Sequence, residues 1–390
     1  MPLAASEFRP LFMLDPAVVF LNHGSFGAVP RPVHRHQDAL RRKMEAEPVR
    51  FLARELPDAL DRVRESVAAL VGAEPASIAL TANTTTAVNA VARSVRLERG
   101  DEVLLTSHEY GAMRLLWDEV AAQAGARVTV ADLPSTPRGD EELAACVLDR
   151  MTRRTRVVFC SHITSLTSTV LPIALICAEA RRHGAISVVD GAHGPGQVDL
   201  DLPGIGADVY AGNAHKWLLA PRGAAFIHAS ESAREWIRGP VVSWGWTWAG
   251  EGAYQCRFAW PGTFDPTALL SIPAAIEFRR AHDWPAVVAR CHTLAERTLA
   301  ALVTEAGAVP TAAASLRPPQ MVSAYLDIDS PQALKDDLWA ARRIEIPVDQ
   351  LGGATLIRLS VGAYTTDAEC DLLVAAVAQH RAQRRAPRPA

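Results

Sequence analysis

The sequence predicts an α/β fold, a mostly parallel seven-stranded sheet with helices on both faces, followed by a smaller α+β region. Three observations predict it. Short apolar runs alternate with amphipathic stretches of helical period up to about Trp236, the rhythm of a parallel sheet covered on both sides. That rhythm then stops, and a stretch rich in glycine and tryptophan leads into longer helices and fewer strands. The chain has 390 residues, 49% of them hydrophobic, which is enough to bury a large core without disulfide or metal staples.

Taken in order, the strands fall at 77–81, 102–106, 127–131, 156–160, 186–190, 209–211 and 224–228, each a run of apolar and β-branched residues. Amphipathic helices fit between them at 85–95, 112–124, 141–151 and 171–183. Residues 240–266 hold Trp244, Trp246, Trp248 and Trp260 with no helical period. Beyond them come helices at 267–282, 284–306, 332–343 and 367–383, and strands near 321–328 and 355–360. The basic, proline-bearing tail at 381–390 reads as frayed.

Composition narrows the function. The formal net charge is −3, so charge gives no case for nucleic acid. No 18-residue apolar run suits a membrane span, and the first 20 residues lack a secretory pattern. The six cysteines are scattered without a CxxC pair, which fits reduced thiols in a cytoplasmic protein. His34 and His36 point to different faces of a helix, and no metal site is expected. Of the 40 basic residues only Lys43, Lys216 and Lys335 are lysine. Arginine serves as the ordinary surface cation here, so a lysine in an apolar setting stands out.

In such sheets ligands sit beyond the carboxyl ends of the strands, so the residues just after each strand are the ones placed for chemistry. After the first come Thr84, Thr85 and Thr86 at a helix start, where hydroxyls and orphan N–H groups favour an anion. A plain N-cap is the simpler reading of any one of them. After the second comes Tyr110, an aromatic that either covers a flat ligand or fills core. His162, Thr164 and Ser165 follow the fourth strand. Asp190 ends the fifth, with His193 in the run DGAHGPG. Its glycines do not spell the dinucleotide fingerprint, which weighs against a nicotinamide oxidoreductase. After the sixth come His215, Lys216 and Trp217. A lysine desolvated there loses its charge readily and becomes a nucleophile, which arginine cannot do. Alone it reads as a snorkelling side chain. Together, an anion cradle, an aromatic, an acid and a poised lysine meet the requirements of pyridoxal phosphate.

These residues carry a resemblance. The runs LNHGSFG (21–27), TANTTT (81–86), SHEYGA (107–112), DGAH (190–193), NAHKW (213–217) and IRLS (357–360) resemble the class V aminotransferase superfamily of fold type I pyridoxal-phosphate enzymes. Within it the likeness is to the isopenicillin N epimerase-like group, from about residue 20 to about 366. The resemblance implies residues 1–25 as a segment packing near the active site, 26–265 as the large cofactor-binding domain and 266–390 as the small C-terminal domain. It implies Lys216 as the lysine bonded to the cofactor, Asp190 at its pyridine nitrogen and His193 near its ring oxygen. Tyr110 would stack on the ring, where many relatives have histidine. Thr84, Thr85 and His215 would hold the phosphate, with Gly262 and Thr263 reaching in from a second subunit of a homodimer. Ser165 stands where relatives often carry asparagine. Arg358 would pair with the substrate carboxylate, with Asn22 beside it. The tryptophan-rich stretch would sit near the interface and the entrance, unless it simply packs.

The cofactor leaves the reaction open. Desulfuration needs a loop cysteine, and residues 350–357 before Arg358 hold none. Transamination needs only Lys216. Epimerisation needs a second acid/base on the opposite face of Cα, for which His23 and Tyr110 are the candidates. β-Elimination from a cysteine S-conjugate needs Lys216 alone, so C–S lyase chemistry in specialised metabolism ranks first and epimerisation of an amino-acid moiety second. A decarboxylating variant and a binding protein without catalysis also remain, though Lys216, Asp190 and Arg358 argue against the latter. In every case the partner is a small amino-acid substrate.

Overall fold

The structure is a computed structural model describing residues 5–248 and 253–385. Its central sheet has seven strands: β1 (Ile78–Thr81), β2 (Glu102–Thr106), β3 (Arg127–Ala131), β4 (Thr155–Ser161), β5 (Ile186–Gly191), β6 (Val209–Asn213) and β7 (Ala225–Ala229). Their spatial order is β1-β7-β6-β5-β4-β2-β3. All neighbours pair parallel except β7, which runs antiparallel to both β1 and β6. The seven predicted strands are therefore present, each within a few residues of its expected bounds.

Side chains alternate across the sheet, and both faces are buried. Leu104, Val158, Cys160, Val189 and Phe226 enter one core; Val103, Leu105, Val157, Phe159, Val188 and Ile227 enter the other. Near-continuous apolar strands are what a sheet covered on two sides requires. The order places β4, β5 and β6 side by side, so their carboxyl ends bring Ser161, Asp190 and Asn213 to one edge. β1 runs parallel to β6, so Thr84 comes to that edge too.

A second sheet follows: β8 (Val309–Pro310), β9 (Met321–Leu326), β10 (Val348–Leu351) and β11 (Ala354–Ser360), in the antiparallel order β10-β11-β9-β8. Helices Trp284–Ala306, Pro331–Arg342 and Asp367–Arg385 surround it. The short strand at β10 escapes the sequence reading because it is four residues long and half polar. The single helix expected over 267–282 divides at Ser271 into Thr267–Leu270 and Ile272–Ala281, with Pro273 in the first turn of the second. Where fraying was expected from Arg381, the last helix runs on to Arg385, and residues 386–390 of that tail lie outside the described residues.

The N-terminal segment is stitched to the second sheet's side of the site. Val19–Phe20 pairs parallel with Ile344–Glu345, Ser360 donates its N–H to the Leu21 carbonyl at 3.0 Å, and Asn22 bridges to Ser360. The run after Leu21 is thereby laid beside Arg358. Among the described residues no helix is long and apolar enough to cross a membrane.

Candidate active site

A cavity of about 230 Å³ lies at the sheet edge where β4, β5 and β6 end. Thr84, Thr85, Tyr110, Ser165, Asp190, His193, His215, Lys216 and Arg358 line it, together with Gly24, Ser25, Asn83 and Asn213.

Lys216 sits in the tight turn after β6. Two glycines let neighbouring chain approach that turn. Gly27, at φ +69°, lies so near that a Cβ would collide with the His215 carbonyl, and Gly196, at φ +87°, would likewise strike the Trp217 carbonyl. The last glycine of LNHGSFG and the last of DGAHGPG thus serve the lysine turn. Lys216 Nζ stands 3.0 Å from His193 Nε2. Burial, with the Arg358 charge adding to it and Asp190 opposing, lowers its amine to about 7.

Asp190 is buried at the end of β5. One carboxylate oxygen accepts the Ala192 N–H at 2.9 Å, and burial raises its pKa against that bond and the nearby lysine. At the start of helix Thr84–Ser94, the Asn83 side chain caps by accepting the Thr86 N–H at 2.8 Å. Thr84 N–H donates to Asn213 Oδ1 at 3.0 Å, which ties the helix start to the lysine turn. The Thr84 hydroxyl is buried and has no partner among the described residues. His215 Nδ1 donates to the Ala224 carbonyl at 3.1 Å, so Nε2 carries a proton only in the imidazolium form; burial lowers its pKa to about 4.

Arg358, on β11, is 6% exposed, yet among the described residues no carboxylate pairs with it. It donates to the Ser165 carbonyl at 2.7 Å, the Ser165 hydroxyl at 3.3 Å, the Ser25 hydroxyl at 2.9 Å and Asn22 Oδ1 at 3.2 Å, while its Nε stays unbonded. A buried guanidinium held by neutral groups is a receptor for an anion. Asn22 also donates to Glu345 at 3.0 Å, so it bridges Arg358 to Glu345, and it does not itself line the cavity.

Some expected residues stand elsewhere. His23 has both ring nitrogens engaged, Nδ1 with the Tyr364 hydroxyl at 3.0 Å and Nε2 with the Lys216 carbonyl at 3.1 Å, and it does not line the cavity. Burial lowers its pKa to about 4. Gly262 and exposed Thr263 do not line their own chain's cavity. The tryptophans do not reach it either; Trp246 lines a separate groove with Arg156 and Ile186, at the amino ends of β4 and β5. Aromatic clustering in sequence carries no information on which sheet edge it joins.

Sequence reasoning passed over Ser25, Asn213 and Glu109. The Glu109 carboxylate accepts from the Ser161 hydroxyl and N–H at 2.6 and 3.2 Å and from the Thr106 hydroxyl at 2.5 Å, and burial pushes it up to about 7. An acidic residue directly after a strand, next to Tyr110, was the available signal.

Residues 28–373 match the family model described as aminotransferase class V. The chain belongs to the aminotransferase class V family. It is 38% identical over 388 residues to an isopenicillin N epimerase of Streptomyces clavuligerus, covering 95% of this chain and 97% of that protein. It is 34% identical over 294 residues to a putative L-cysteine desulfhydrase 1 of Oryza sativa subsp. japonica, covering 71% of this chain and 60% of that one. In fold it is similar to a cysteine desulfurase from Thermococcus onnurineus NA1, with a TM-score of 0.83 at 19% identity over 97% of this chain and 98% of that one. The cystine C–S lyase C-DES matches with a TM-score of 0.81 at 23% identity, over 93% and 97%. The fold is thus the fold type I architecture of the class V enzymes, and this family member is a pyridoxal-phosphate-dependent enzyme of the lyase or epimerase kind.

The residues present fit that cofactor. The orphan Thr84 hydroxyl at a helix N-terminus suits a phosphate, the buried Asp190 suits a protonated ring nitrogen, and an amine near neutral pKa suits an aldehyde.

Proposed function

We propose that the enzyme takes up an amino acid by its carboxylate, removes the Cα proton with Lys216 and returns a proton from the opposite side, inverting the centre. What supports this reading is that Lys216 and Tyr110 both line one cavity, from flanks set by different strands. Lys216 follows β6 and Tyr110 follows β2, with β5 and β4 between them. At about 4.8 Å per strand, those flanks stand roughly 14 Å apart at the level of the sheet. One lysine reaches only one face of a planar Cα, so inversion needs an acid across from it. His23 is spent on other bonds, which leaves Tyr110.

Pyridoxal phosphate, when bound, draws electrons from Cα and so acidifies its proton. In this reading Lys216 meets its aldehyde and Asp190 its ring nitrogen, while Thr84, Thr85 and His215 hold its phosphate. His215 does so as the imidazolium, which a neighbouring anion favours. His193 faces the ring oxygen, Tyr110 covers the ring, and Arg358 takes the substrate carboxylate in a forked contact. Ser165, bonded to Arg358 by carbonyl and hydroxyl, orients that guanidinium. Gly262 and Thr263 of a second copy complete the phosphate site, in a homodimer whose apposed surface includes exposed Trp244 and Phe26. Sedimentation at the mass of a single chain contradicts that part.

The likeness to isopenicillin N epimerases over nearly the full length of both chains supports inversion. β-Elimination, which the sequence alone ranks first, keeps one specific support, the likeness to L-cysteine desulfhydrases over part of their length. Sulfur transfer through a protein thiol has less, since no cysteine lines the cavity among the described residues.

The test is incubation in deuterated water with isopenicillin N and, separately, with L-cysteine. Inversion puts deuterium at Cα in both epimers with no fragmentation. Release of sulfide, pyruvate and ammonia from cysteine, with no exchange into the other probe, overturns inversion in favour of elimination.

A further inference from the structure

We propose that Trp217 is a positioning residue that fixes the tautomer of His193, so that His193 always presents an N–H to Lys216 and to the cofactor atom beside it.

The argument rests on what an indole can do. Trp217 Nε1 lies 3.2 Å from His193 Nδ1, and both residues are buried, at 1% and 2% exposure. An indole N–H only donates. Nδ1 is therefore the acceptor, and the neutral imidazole carries its proton on Nε2. That nitrogen is the one 3.0 Å from Lys216 Nζ. A proton donated there is met by the lone pair of an unprotonated amine, so the pair favours lysine as free base. When the cofactor is present, the same N–H faces either the lysine nitrogen or the ring oxygen expected alongside.

The alternative tautomer would pit Nδ1–H against the indole N–H, two buried donors facing each other. Burial, with the charges of Lys216, Arg358 and His215 adding to it, holds the ring well below its ordinary pKa, so His193 is neutral and has a tautomer to set. His193 backbone is itself held, its carbonyl accepting from Gln197 Nε2 at 3.1 Å, so the ring has a fixed base. Trp217 is thus more than the apolar neighbour that helps desolvate Lys216. It sits one residue after the lysine in sequence and acts on it through a histidine 23 residues away.

The inference rests on Lys216 being the cofactor's lysine, and the two fail separately. A covalent adduct on another lysine removes the role of Lys216; a proton on Nδ1 of His193 removes the role of Trp217.

Two measurements test it on the full chain. In the wild-type holoenzyme, nitrogen-15 NMR of labelled histidine, with His193 assigned by its loss in His193→Gln, reads the tautomer directly. A protonated Nε2 is expected; a protonated Nδ1 overturns the proposal without any Trp217 variant having to fold. The second is a pH titration of the holoenzyme's visible absorption. Trp217→Phe keeps the ring but removes the donor, and the midpoint should rise by about one pH unit, the effect of one lost hydrogen bond. A glutamine amide needs no tautomer set for it, so in the His193→Gln background Trp217→Phe should leave the midpoint unmoved. Equal shifts in both backgrounds, or no shift in either, mean that Trp217 acts by packing alone.

Discussion

His23 donates from Nε2 to the backbone carbonyl of Lys216 at 3.1 Å, joining the start of the chain to the lysine turn 193 residues later. Its other nitrogen accepts from the buried Tyr364 hydroxyl at 3.0 Å. The same carbonyl accepts the Leu219 N–H at 3.2 Å within the turn, so the N-terminal segment supplies its second bond.

His23→Phe keeps the ring volume and removes both bonds. It leaves the Lys216 carbonyl with the Leu219 N–H alone and takes a partner from the Tyr364 hydroxyl, at a cost of about 1–2 kcal/mol in unfolding free energy by urea titration. The pH–rate profile should keep its shape. If stability is unchanged and one limb of the profile disappears, His23 is a proton-transfer group after all.

Arg358→Lys keeps the charge but cannot make a forked contact. Substrate affinity, read by the change in cofactor absorption on binding, should weaken about 10- to 100-fold, the range expected for one lost charge-assisted bond. Unchanged affinity assigns the carboxylate to another residue.

Tyr110→Phe preserves the aromatic face and deletes only the hydroxyl. Inversion should slow by roughly 10²–10⁴-fold, the usual contribution of a positioned acid. Exchange of the Cα proton with retention should survive, because Lys216 is untouched. Inversion at the wild-type rate removes Tyr110 from the chemistry.

Glu109 gives a pH prediction for stability. Its pKa is raised from 4.5 to about 7 by burial, so the folded state holds a proton that the unfolded chain has released between those values. Stability from this group is complete below about pH 4.5 and is lost as pH rises through about 7. Glu109→Gln removes the titration, and its amide nitrogen can donate to the Ser161 hydroxyl, which is free to turn. The variant's melting temperature relative to wild type should therefore climb from pH 5 to pH 8. A constant difference across that range contradicts the assignment.

Much of this site is legible in sequence because strands end where chemistry begins. Asp190, Lys216 and Thr84 follow apolar runs too short to be anything but strands, and a parallel sheet gathers such ends at one edge. Arg358 lies far along the chain in the second sheet and was placed by family resemblance. Burial of Glu109 and the spent nitrogens of His23 were not legible. Both follow from which distant groups, Ser161 in one case and Tyr364 in the other, fold against them. The place of Trp246 was not legible for a related reason: β4 and β5 have two ends, and local composition does not say which one a loop will cover.

The account turns on Lys216 as the one lysine of three placed to bond the cofactor. Lys43 instead pairs with Glu55 on a helix surface at 2.5 Å. Borohydride reduction of the yellow holoenzyme, followed by proteolysis and mass mapping, reads that choice directly. The account predicts a single cofactor-bearing peptide containing Lys216; an adduct on Lys43 or Lys335, or none on a coloured protein, would contradict it.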